Sequence, residues 1–155
     1  MGSEKRTGSH VFIGHGGSPA WKDLRDFIRD RVSLPFDEFN RVPMAGRTNK
    51  DRLEEMLDTA AIAFLVMTGE DETAAGKVQA RQNVVHEAGL FQGRLGFNKA
   101  IVLLEEGCER FSNIDGLTDI RFPKGNIGEA FEKVRAVLER EGIIAASGPP
   151  KHKWL

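Results

Sequence analysis

The chain has 155 residues, enough for one domain with one substantial core and too few for two of typical size. With 40% hydrophobic and 29% charged residues, and 22 basic against 23 acidic side chains, it reads as a soluble globular protein. It lacks the net basic face that nucleic-acid binding needs. A single cysteine, Cys108, excludes an internal disulfide and a Cys-rich metal site. No apolar run has the length of a membrane span, and a reducing cytoplasm is the expected setting.

Residues 1–9 are polar and read as a disordered or cloning-derived tail. Residues 11–13 form the first short apolar run, of the kind expected for a strand buried on both faces. Gly14-His15-Gly16-Gly17-Ser18 follows, and Ser18-Pro19 supplies an N-cap and a favoured first helical residue. Trp21, Leu24, Phe27, Ile28 and Val32 then recur at three- and four-residue spacing, which predicts the first helix. A weaker strand covers residues 36–39. A loop over 40–48 with Arg41, Pro43, Gly46 and Arg47 leads to a helix over 49–59, Leu53, Met56 and Leu57 facing inward. The apolar run 61–67 is the third strand. After it come Thr68-Gly69-Glu70-Asp71-Glu72, a helix over 79–93 and the strand 100–104. A short helix or none is expected between 109 and 115, then a strand over 117–122. The last helix covers 127–140, with Phe131, Val134 and Leu138 inward, and 143–155 reads as a linker or C-terminal tail. This alternation predicts an α/β fold, a five-stranded parallel sheet with helices on both faces.

In such sheets ligands bind beyond the carboxyl ends of the strands. The glycine loop after the first strand is either a ligand contact or a tight strand-to-helix turn. It is neither a Walker loop nor a dinucleotide fingerprint. The helix 79–93 is the most informative element. Ala80, Val84, Ala88 and Phe91 form its apolar stripe, Glu87 falls on the same face, and Asn83 lies one turn earlier, within reach of it. An inward carboxylate is costly unless it is paired or lines a cavity, which makes it a functional candidate. The alternatives are a buried ion pair with Arg81 or His86, or a stripe edge that reaches solvent. Asp71 is a candidate for a ribose hydroxyl or a solvated loop acid, His15 a substrate-orienting group or a surface histidine. Trp21 sits on a core stripe. Cys108 lies among acids that oppose a thiolate, no cluster has metal-ligand spacing, and Ser18 has no paired histidine.

Taken together, residues 11–16 with Ser18 and Trp21, residues 63–68 with Glu70-Asp71, and above all the run Ala80-Arg81-Gln82-Asn83-Val84-Val85-His86-Glu87-Ala88-Gly89 resemble a bacterial family. It is the TIR-like, predicted nucleotide-binding family. Gly93-Arg94-Leu95-Gly96 and Ile114-Asp115-Gly116-Leu117 fit the same pattern, so the likeness spans about residues 10–140. The resemblance implies a flavodoxin-like TIR fold over 10–142 and NAD⁺ glycohydrolysis in antiphage defence. Members act as effectors in cyclic-nucleotide-triggered systems, including TIR domains fused to STING or other sensor domains. Glu87 matches the family's catalytic glutamate, and Arg41, Pro43, Gly46 and Arg47 fall in its gating loop. Gly69-Glu70-Asp71 departs from the proline and paired aspartates that relatives often carry.

The chemistry expected from these residues is consistent with one carboxylate. Nicotinamide leaves from a cationic nitrogen, so one acid beside the ribose suffices to stabilise or trap the developing cation. Gly14, His15, Gly16, Gly17, Ser18, Asp71, Arg81 and Asn83 are the expected substrate contacts, with no metal and no cofactor beyond NAD⁺ as substrate. Expected partners are NAD⁺, further copies in an oligomer or filament, and a fused or separate cyclic-nucleotide sensor, with no nucleic acid or membrane. The competing readings are a non-enzymatic TIR assembly module and a nucleoside deoxyribosyltransferase-like hydrolase. A phospho-receiver is excluded because Gly14-His15 and Thr68 stand where its acidic residues would be.

Overall fold

The computed structural model describes residues 8–39, 48–72, 74, 76, 78–109 and 119–146. Arg41, Pro43, Gly46 and Arg47 of the expected gating loop, and the segment 114–117, lie outside the described residues. Five strands make the main sheet: β1 (His10–Gly14), β2 (Phe36–Glu38), β3 (Ala60–Met67), β6 (Ala100–Glu105) and β7 (Asp119–Phe122). All pair in parallel, in the order β2-β1-β3-β6-β7. This is the flavodoxin-like arrangement expected from sequence.

The strands read as unbroken apolar runs because both faces are covered. Val11 and Ile13, with Ile62, Phe64 and Val66, pack on one side with Leu24, Phe27, Ile28, Val134 and Leu138. Phe12, Ala63, Leu65 and Met67 alternate to the other side, against Val84, Ala88 and Phe91. Stacking of Phe12 on Phe91, ring centroids 4.2 Å apart, ties β1 directly to the third helix.

Among the described residues four α-helices supply the layers: α1 (Ala20–Asp26), α2 (Asn49–Thr59), α3 (Gln82–Leu95) and α4 (Phe131–Arg140). The second has the bounds read from sequence, since Thr48 caps it by accepting from the Asp51 N–H at 3.0 Å. The first departs from expectation in two ways. It passes into a π-helical turn, Phe27–Arg31, and its start is Pro19 rather than Ser18. The last begins as a 3₁₀ turn, Ile127–Ala130. Ile143 and Ile144, placed in the tail by composition, pack on the core.

A small antiparallel hairpin, β4 (Asp71–Glu72) and β5 (Val78–Gln79), is additional to the expected elements. It lies where the acidic loop was read. The hairpin shortens the start of the third helix, so α3 begins at Gln82 with Arg81 as its N-cap. Among the described residues no helix is long and apolar enough to cross a membrane.

Candidate functional site

The carboxyl ends of β1, β2, β3 and β6 carry Gly14, Glu38, Met67-Thr68 and Glu105. Because β1 and β3 are neighbours, the loops that follow them meet above the sheet, and α3 crosses the same end. Glu87 sits on the inward face of α3 with 1% of its surface exposed, as the periodicity predicted. Its position is defined by the backbone opposite. A Cβ placed on Gly14 would lie 3.0 Å from Glu87 Oε1 and 2.6 Å from Leu65 Cδ1. A side chain at position 14 would therefore push on the carboxylate. The glycine is required by close approach, not by an unusual backbone angle.

Asn83, one turn before Glu87, also reaches the glycine loop. Its Nδ2 donates to the carbonyl oxygen of His15 at 3.1 Å, tying α3 to the glycine loop. The His15 ring is fixed on three sides. Its Nε2 is 2.7 Å from Glu38 Oε1, its Nδ1 is 2.8 Å from the Gly16 carbonyl oxygen, and its face stacks on Trp21 at 4.1 Å. Arg25 in turn lies 5.3 Å from the centre of the Trp21 ring. Trp21 is therefore part of a stacked support for His15, and only partly buried in the core.

Glu70 is held by several donors. The Gly17 N–H donates to its Oε1 at 2.8 Å and the Ser18 N–H to its Oε2 at 3.3 Å. The Thr68 hydroxyl donates at 2.5 Å, and Arg81 Nε lies 3.2 Å away. Arg81 also comes within 3.6 Å of Asp71. Arg81, one of the two residues offered as an ion-pair partner for Glu87, thus lies beside the loop acids Glu70 and Asp71. Asp71 and Arg81 are half-exposed, whereas Glu70 is mostly covered. Ser18 Oγ, for its part, accepts from the Ala20 N–H at 3.3 Å.

Burial by itself would raise the Glu70 carboxyl. The Thr68 hydroxyl, the Gly17 and Ser18 N–H groups and Arg81 together outweigh it and hold the carboxyl below the ordinary glutamate range. A depressed acid contributes stability above its unfolded value of about 4.3 and loses it as pH falls through the folded value. Acid unfolding of wild type should therefore be steeper below about pH 4.3 than that of Glu70→Gln, which carries no titrating carboxyl there. Parallel melting curves from pH 3 to 7 measure the difference. Identical pH profiles would show that these donors do not hold the ionised form.

A second buried acid was not singled out from sequence. Glu105 ends β6, accepts from the Gly69 N–H at 3.3 Å and from the Gly125 N–H at 3.2 Å, and so ties the loop after β3 to the turn after β7. The available signal was its place directly after the apolar run 100–104. Cys108 behaves as the sequence suggested. Burial first, then Glu105, raises its thiol to about 11, which removes it as a nucleophile near neutral pH. No group of three or more metal-ligating side chains occurs among the described residues. A groove of about 420 Å³ runs between α2 and α3, walled by Phe39, Leu53, Leu57, His86 and Leu90; Glu87 is not among its walls.

The arrangement is a buried carboxylate beneath a glycine loop, braced by Asn83, the His15–Trp21 stack and Glu70. Residues 10–124 match the family model described as the TIR domain of the CAP12/Pycsar effector protein. The chain is 31% identical over 113 residues to the uncharacterized protein YuaY of Escherichia coli (strain K12), covering 69% of this chain and 38% of that protein. It is 28% identical over 145 residues to CD-NTase-associated protein 12 of Lachnospiraceae bacterium (strain RUG226), 90% of this chain and 42% of the relative. With the Pycsar effector protein XpPycTIR of Xanthomonas perforans it shares 33% over 114 residues, 69% and 38% of the two chains. The chain thus spans about two-fifths of the length of these relatives.

Proposed function

This chain belongs to the TIR-domain family of CAP12/Pycsar effectors, and from that premise we propose that it hydrolyses the nicotinamide N-glycosidic bond of NAD⁺ as the effector domain of a bacterial antiphage system. The observation that carries the reading is Glu87, a carboxylate 1% exposed on the inward face of α3 and packed against Gly14, the last residue of β1.

The chemistry follows from charge. The bond that breaks joins the ribose anomeric carbon to a cationic pyridinium nitrogen, so nicotinamide leaves neutral and takes the bonding pair. Positive charge then grows on the ribose. An ionised carboxylate beside it stabilises that charge or forms a covalent bond to the anomeric carbon, and in a site shielded from water its effect is large. Water completes the reaction to ADP-ribose and a proton, or the adenine of the same molecule closes a cyclised product. Gly14 lies against Glu87, and Asn83 ties the His15 carbonyl of the same loop to α3. Asp71 and Arg81, half-exposed at the rim, are proposed contacts for the ribose hydroxyls and the anionic part of the substrate.

Glu87 is covered in the single chain, so substrate reaches it only when the elements above it open. Coupling that opening to self-association makes activity depend on the population of assembled copies, with a cyclic-nucleotide sensor as the natural trigger. Nicotinamide release from NAD⁺ by the chain should accordingly rise more than linearly with protein concentration. A linear dependence would remove assembly control while leaving the chemistry. Absence of release even when copies are joined by a dimerising fusion would favour the assembly-module reading. Cleavage of deoxynucleosides in place of NAD⁺ would favour the deoxyribosyltransferase-like one.

A further inference from the structure

The glycine loop has the makings of an anion seat, and the seat is taken. Two successive backbone N–H groups, those of Gly17 and Ser18, converge with the Thr68 hydroxyl and the Arg81 guanidinium on a single point. Backbone amides, a hydroxyl and an arginine are the donor set that phosphate-binding loops present. Here the point is occupied by the Glu70 carboxylate. The glycines make room for that occupant: a Cβ on Gly16 would lie 2.6 Å from Glu70 Oε2, and one on Gly17 3.1 Å from Oε1.

We propose that Glu70 is a built-in anion, whose carboxylate fills the Gly17–Ser18 amide seat, fixes the β1–α1 loop and closes that seat to phosphate. An incoming phosphate would exchange one anion for another on the same donors, and would leave Glu70 charged without them. The exchange gains few hydrogen bonds and strands a carboxylate, so the seat stays closed. The diphosphate of any nucleotide bound at this site is then held away from the Gly17 and Ser18 amides. The proposal does not depend on NAD⁺ being cleaved.

Removing the occupant should open the seat. In Glu70→Ala, inorganic phosphate and acetate should each shift the Gly17 and Ser18 amide resonances saturably and raise the melting temperature. The variant should bind phosphate at least tenfold more tightly than wild type, whose two amides should stay unmoved. A folded Glu70→Ala with no response to either anion would overturn the proposal, as would saturable phosphate shifts at these amides in wild type. Should the variant not fold, wild type alone decides the matter through an acid titration followed by NMR. The Gly17 and Ser18 amides and the Glu70 side-chain carboxyl should move together with one midpoint; independent movement would refute the assignment. Each readout is independent of nicotinamide release, so a failure here is distinct from a failure of the NADase reading.

Discussion

Replacing Glu87 with glutamine should lower nicotinamide release by at least about 10²–10³-fold, the scale on which a single preorganised electrostatic group acts in a water-excluded site. Glutamine has nearly the shape of glutamate and no charge, so the substitution separates chemistry from packing. The melting temperature should stay within about 4 °C of wild type, roughly 1 kcal/mol for a chain of this size. Residual binding of NAD⁺ with the rate lost is the expected pattern, because the carboxylate is needed for charge that develops only in the transition state. Single-turnover assays on assembled protein would measure it. Full activity in a folded, assembled Glu87→Gln protein would remove Glu87 from the mechanism, and a collapsed melting temperature would show that its charge serves the fold instead.

Gly14→Ala should have the next largest effect, and on both properties at once. The added methyl would meet Leu65 Cδ1 at 2.6 Å and Glu87 Oε1 at 3.0 Å. Leu65 of β3 is wholly buried in the cluster on the α3 side of the sheet, so it has little room in which to yield. Overpacking of this kind costs about 1–3 kcal/mol. The carboxylate must also give way, and a misplaced reactive group loses rate steeply, of order 10²-fold for about 1 Å. Gly93→Ala is the matched control. Gly93 lies within α3, and an added Cβ there meets nothing within 4 Å. It should raise stability by about 0.4–1 kcal/mol by restricting the unfolded chain, with activity unchanged. If Gly14→Ala were as benign as Gly93→Ala, the close approach of β1 to Glu87 would not exist in solution.

The sheet and helices were legible because their signals are local. A strand covered on both faces must be apolar at every position, and β3 from Ala60 to Met67 is buried throughout. A helix with one face on a sheet must repeat at 3.6 residues, which places Val84, Glu87, Ala88 and Phe91 on one side of α3. The β4–β5 hairpin escaped notice because two-residue strands have no period to detect. The π-helical turn after α1 keeps the same apolar spacing as the helix before it, so its composition does not mark it.

By itself, then, the sequence determined the layer order, the parallel sheet and the inward position of Glu87, all consequences of burial patterns within one element. Only the tertiary structure decided which loop partners which. Strand order sets β1 beside β3, and that adjacency lets Glu70 reach amides 53 and 52 residues earlier in the chain. The same crossing of α3 over the strand ends turns Asn83 toward the His15 carbonyl, and the register of β6 beside β3 brings Glu105 to the Gly69 amide. Hydrogen bonds of this kind form between groups that share no sequence neighbourhood. Their partners are fixed by where the assembled sheet brings the loop backbones together, and no periodicity in the chain records that.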